Sequence, residues 1–147
     1  MSDATRPTQN YANHVLMPVP FVAAGAVLAI DALVRVVNLF RAPGLDSAWA
    51  ILPGIALVVF WSLLRRNSLR LQDRIIRLEM RVRLEQVLPP ERRADIARLE
   101  TGQLIALRFA SDAELPALVG EVLAQGTRSR DEIKRKVKDW QADWMRV

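Results

Sequence analysis

The sequence predicts an all-α membrane protein: a two-helix transmembrane hairpin followed by a cytoplasmic helical tail of about five helical segments. Three observations carry this. Two apolar stretches, each long enough to cross a bilayer, lie one short turn apart. Charge is sparse before residue 65 and dense after it. No window alternates apolar and polar residues as a strand would.

The split in charge is sharper than the mean hydropathy of +0.09 suggests. Residues 1–64 hold three Arg and three Asp, and the remaining 83 of the 147 residues hold 18 Lys and Arg against 13 Asp and Glu. The net charge of +5 is already reached between Arg65 and Arg83, where seven Arg face only Asp73 and Glu79. A cationic block directly after an apolar span more often meets anionic lipid headgroups than nucleic acid. There is no cysteine, which removes disulfides, thiolate catalysis and lipidation, and the single histidine, His14, removes a His-rich metal site.

After an N-terminal segment (residues 1–14), the first span covers residues 15–40, apolar except for Asp31, Arg35 and Asn38. Its first 20 residues rise about 30 Å as a helix, the thickness of a bilayer core. A cleaved signal peptide fits poorly: only Arg6 precedes the apolar run, the run is too long, and it contains Asp31 and Arg35. Residues 41–46 hold the breaker pair Pro43 and Gly44 and form the outer loop. The second span, residues 47–64, carries no charge and has Trp49 and Trp61 near its ends, where amphipathic rings favour the headgroup level. Pro53 and Gly54 are tolerated in such a span. One Arg in the loop against seven after the second span puts both termini in the cytoplasm by the positive-inside rule.

No breaker lies between Leu64 and Leu88, so a basic helix over residues 65–88 continues the second span. Leu71, Ile75, Leu78 and Val82 form one apolar stripe on it; Leu69, Ile76, Met80, Leu84 and Val87 form another, nearly opposite. A helix apolar on two sides needs two packing partners. The following helices supply one, and another protein or a second copy supplies the other. Asp73 with Arg77, and Glu79 with Arg83, are spaced for i,i+4 ion pairs. Pro89 and Pro90 end the helix and open a small helical domain, residues 89–147. Pro90 starts a short helix through Leu99. Thr101 caps a helix over residues 103–110. Ser111 with Glu114 caps one to about Gln125, although Pro116 sits late for that start and favours a beginning a few residues on. Gly126 stops it. Ser129 with Glu132 opens a final helix with Ile133, Val137, Trp140 and Trp144 as its stripe.

The strings QNYANH (residues 9–14), QDRIIRLE (72–79), LIALRFASD (104–112) and ELPALV (114–119) resemble a family of small bacterial membrane proteins classed as a domain of unknown function. The resemblance covers nearly the whole chain. It implies a bacterial inner-membrane location and the two-span layout, and it implies no activity.

Several residues stand out as candidate sites. Arg65, Arg66, Arg70 and Arg74 are expected to meet lipid headgroups. Arg77 and Arg81, with Leu71, Ile75, Leu78 and Val82, form a candidate partner-binding face. Asp31 and Arg35 are an intramembrane polar pair, for which mutual neutralisation is favoured over an ion path. Gly25, Ala29 and Ala32, with Ala50 and Gly54, offer small residues for close helix packing, more readily within the hairpin than between copies. His14 with Tyr11, Asn10 and Asn13 has no neighbouring carboxylate or nucleophile. Arg128, Arg130, Lys134, Arg135, Lys136 and Lys138 read as a solvated basic face rather than a nucleic-acid site. No phosphate loop, zinc signature or nucleophile elbow appears, so no enzyme activity, cofactor or metal is expected. The leading expectation is a non-enzymatic, membrane-anchored scaffold that docks a protein or its own copy. The alternatives are an accessory subunit of a transport or channel assembly using Asp31 and Arg35, and a membrane-tethered nucleic-acid binder.

Overall fold

The computed structural model describes residues 9–12 and 18–143. His14, Asn13, Trp144 and the first residues of the expected first span lie outside the described residues. Within them the chain is all-helical: α1 Val19–Arg41, α2 Leu45–Val87, a 3₁₀ turn Pro90–Arg92, α3 Asp95–Arg98, α4 Thr101–Leu107, α5 Leu115–Gln125 and α6 Arg130–Lys136. No strand is present among the described residues; one isolated bridge joins Ala110 to Trp140. Two compact bodies divide within α2, between Arg70 and Leu71, and residues 9–12 belong to the second.

The first body is a hairpin. α1 and the start of α2 are long and apolar enough to cross a membrane, and α1 has no buried residue, with Leu33, Val27 and Phe40 all exposed. Pro20 falls in the first turn of α1, where its missing N–H costs nothing. At the far end Ala42 leaves helical geometry, and its N–H donates to the Asn38 carbonyl. The Ser47 hydroxyl closes the turn on the Ala42 and Gly44 carbonyls, both at 2.9 Å. α2 then continues unbroken for 43 residues with Pro53 inside it.

The second body packs around the inner side of the last part of α2. Ile76, Met80, Leu84 and Leu88 are buried in one cluster with Ile96 and Leu99, Leu104 to Leu107, Leu115, Leu118, Val119, Val122, Ile133 and Val137. Phe109 is fully buried. The caps follow the sequence with two shifts. Glu100, not Thr101, caps α4: its carboxylate accepts the Gln103 N–H, while the Gln103 side chain accepts the Glu100 N–H at 2.7 Å. α5 begins at Leu115, after Ser111 and Glu114, with Pro116 in its first turn. Gly126, at φ 61°, adopts the left-handed conformation that ends α5, and Ser129 caps α6 through the Glu132 N–H.

The final helix is shorter than its stripe suggests. α6 stops at Lys136 and Val137 is extended. Tertiary bonds take over from the helical ladder there. The Glu114 carboxylate accepts the Lys138 N–H at 3.0 Å and the Asp139 N–H at 3.3 Å. The Ser111 N–H donates to the Asp139 carbonyl, and the Gln141 N–H to the Phe109 carbonyl at 2.7 Å. Trp140 is therefore placed beside Phe109 by an extended segment, with ring centres 4.9 Å apart, and not by helical spacing. Its N–H donates to the Val137 carbonyl.

Phe109 fills the space between this segment and the helices, so Phe109→Ala is expected to destabilise the second body by about 3–5 kcal/mol. Trp140→Ala should cost less, because Trp140 is only half-buried. Denaturant unfolding of the two full-length variants in detergent checks the order.

Candidate functional site

On α2 the stripe Leu71, Ile75, Leu78 and Val82 is left uncovered, at 60, 56, 58 and 56 % exposure, while Ile76, Met80 and Leu84 on the other side are 6 % exposed or less. The two faces that spacing alone leaves equivalent are thus distinguished. The small helices after Pro90 cover one of them. Leu71, Ile75, Leu78 and Val82, at 4, 3 and 4 spacing, are the exposed large apolar side chains outside the hairpin among the described residues.

The polar residues around this stripe depart from local pairing. Neither i,i+4 ion pair suggested by the sequence is made. Asp73 pairs instead with Arg130 at 3.6 Å. Arg83 turns to the end of α4: its Nε donates to the Asp112 carboxylate at 2.7 Å, and its two terminal nitrogens donate to the Arg108 and Ala110 carbonyls at 3.1 and 2.7 Å. Those carbonyls lie at a helix end and need donors; a guanidinium satisfies several at once, which a same-helix carboxylate cannot match. Glu79 is left exposed with no ion pair among the described residues. Arg66, Arg70 and Arg74 are exposed, whereas Arg77 and Arg81 are half-buried, and the Nε of each is buried without a hydrogen-bond partner among the described residues. Arg65 lies over the Phe21 ring, its guanidinium carbon 5.4 Å from the centre.

Within the hairpin body, Arg35 Nε donates to Asp31 Oδ2 at 2.7 Å, and Arg35 Nη1 donates to the Ala50 carbonyl of α2 at 2.8 Å. Gly54 makes room for this: a Cβ there would lie 3.0 Å from Arg35 Cδ. Gly25 does the same for Trp61, whose ring stacks on Phe21 at 4.4 Å and whose N–H donates to the Phe21 carbonyl at 3.3 Å. Gly25 and Gly54 thus admit one large side chain each from the facing helix, rather than letting two backbones touch.

Most of the basic residues after Gly126 are engaged within the second body. Arg128 faces Glu100 at 3.4 Å, Lys134 faces Asp131 at 3.9 Å, and Lys136 Nζ pairs with Glu121 at 2.7 Å. That contact holds the Glu121 carboxyl below its ordinary value, chiefly through the Lys136 hydrogen bond. Arg135 lies over the Tyr11 ring at 5.3 Å.

Sequence reasoning missed two residues that hold the second body together, Gln9 and Arg108, and the long-range role of a third, Glu114. Buried Gln9 exchanges two hydrogen bonds with the Asp143 backbone. Arg108, whose side chain is 6 % exposed, pairs with Asp143 at 3.0 Å. Glu114 receives the chain after α6. All three fall in the strings that carry the family resemblance, the one signal that singled out Gln9 and Arg108.

Placing a methyl group on Gly25 would put it 2.5 Å from the Trp61 ring, which is itself fixed by Phe21. Gly25→Ala should therefore destabilise the hairpin by about 1–3 kcal/mol, the usual cost of overpacking. Gly44→Ala, with nothing nearer than Ser47 Oγ at 4.0 Å, should change stability by less than about 0.5 kcal/mol. Thermal unfolding in detergent compares the two.

No curated protein and no solved structure matches the chain. The sequence model of a family described as "Family of unknown function (DUF6526)" matches residues 4–147. The chain, nearly all of which that match covers, belongs to this family.

Proposed function

We propose that the chain is a non-enzymatic, membrane-anchored helical module of a bacterial inner membrane that docks a protein at the cytoplasmic face. The observation that carries this reading is the uncovered stripe Leu71, Ile75, Leu78 and Val82 on an otherwise well-packed body. Exposed apolar residues scattered singly need no explanation, but an ordered row of them does. The exposed length of α1 and of the first part of α2 supports two crossings, with lipid covering side chains that no protein group covers.

Orientation rests on the arginine asymmetry, with residues 41–46 outside and both termini inside. In this arrangement Arg65, Arg66, Arg70 and Arg74 meet anionic headgroups, each worth about 1 kcal/mol. Arg77 and Arg81 stand further along and flank the docking face. Use of Asp31 and Arg35 in transport has less support, because both the Arg35 Nε and Nη1 are engaged inside the hairpin. The pairing of most basic residues in the second body likewise lends little to a nucleic-acid interface.

Two measurements test the reading. With no native cysteine, Gly44→Cys and Gly126→Cys each carry a unique thiol. An impermeant reagent on intact cells should label the first and not the second, and the reverse pattern overturns the orientation. A photo-crosslinking residue at Leu78 should give protein adducts in native membranes. Adducts to lipid alone would remove the docking role.

A further inference from the structure

The stripe that carries the docking role also specifies what covers it. Its 4, 3, 4 spacing is that of the a and d positions of a heptad: Ile75 and Val82 fall at a, Leu71 and Leu78 at d. β-branched residues at a with Leu at d favour parallel two-stranded coiled coils. In the same register Met80 is at f and Ile76 at b, on the side that the second body buries, so the seam and the body's own core occupy opposite sides of one helix.

The flanking charges fit a second copy. Arg74 falls at g and Glu79 at e of the following heptad, five residues on. In a parallel, in-register dimer the g residue of one helix faces the e residue five positions later on its partner, and such pairs set partner choice and orientation. Arg74 would then face the partner's Glu79, twice by symmetry, in place of the headgroup contact it makes in a single copy. An antiparallel pair would set g against g and e against e, placing Arg beside Arg and Glu beside Glu. Both side chains are exposed, and neither makes an ion pair within its own chain among the described residues. Glu79 is left in this state because Arg83, its i,i+4 neighbour, is drawn to Asp112 and to the Arg108 and Ala110 carbonyls.

We infer that α2 pairs with α2 of a second copy as a short parallel, in-register coiled coil, with Leu71, Ile75, Leu78 and Val82 as its seam and Arg74 opposite the partner's Glu79. The inference rests on the docking reading above and names the occupant of that face. The seam spans two heptads, because the register meets Ser68 on one side and Glu85 on the other. Such a seam is short for association in dilute solution, but confinement of both copies to one membrane raises their effective concentration and presents both helices in the same direction.

Single cysteines in the full chain, in native membranes under mild oxidation, test this. Ile75→Cys and Leu78→Cys should form disulfide-linked dimers in high yield, and Ala124→Cys, exposed on α5, should not. In the Leu78→Cys background, R74E and E79R should each lower the dimer yield roughly fivefold, as loss of two exposed ion pairs implies. The double reversal R74E/E79R should restore it. E79R adds positive charge, so its loss of dimer would not arise from weaker headgroup attraction, and recovery in the double variant excludes misfolding. Dimer yields at positions 75 and 78 no higher than at 124 would overturn the inference, as would a double reversal no better than the single ones. If self-crosslinking fails while the photo-crosslinker at Leu78 captures a different protein, the docking reading survives and the second copy is excluded as its occupant. Failure of both removes the docking face altogether.

Discussion

The second body depends on one long, uninterrupted helix. α3, α4 and α6 have four, seven and seven residues, too few to hold helical structure alone in water, where nucleation is costly. They persist because Ile76, Met80 and Leu84 on one side of α2, with Leu88 just past its end, give them an apolar wall to cover. Within the second body no proline or glycine interrupts α2 from Leu71 to Val87; Pro53, which cannot donate to the ladder, lies in the other body. Everything after Pro89 is short, only α4 and α6 carry side-chain caps at their N-termini, and each piece is fixed by burial more than by its own propensity.

Much of this arrangement is written locally. The long helix is legible from the absence of breakers, the hairpin turn from Pro43 and Gly44, and the ends of α5 and α6 from Gly126 and Ser129. What local spacing cannot supply is competition from distant groups. Val137 and Trp140 continue a helical stripe in the sequence, yet the chain leaves the helix because Glu114 and Ser111 offer it hydrogen bonds from 24 residues or more away. Arg83 is well spaced for Glu79 but goes to Asp112 and two part-buried carbonyls of a helix end, since three acceptors together outbid one exposed carboxylate. The candidate face was legible as one of two apolar stripes. Which of the two stays uncovered is a tertiary fact, decided by where the chain after Pro90 folds back.

Polar groups in the hairpin obey the same accounting. An aspartate and an arginine on an apolar helix are costly unless each is satisfied. Here they pair with each other, and Arg35 Nη1 reaches a carbonyl of the facing helix across the space left by Gly54. At the other end Trp61 occupies the space left by Gly25. The two glycines and the two large side chains that fill them fix how α1 and the first part of α2 meet.

The bonds between Gln9 and Asp143 join residues 134 positions apart. They place the segment before α1 and the segment after α6 in one body. If the hairpin between them lies in a membrane, the proposed layout is therefore bound to an even number of crossings, a parity condition that does not use arginine counts at all.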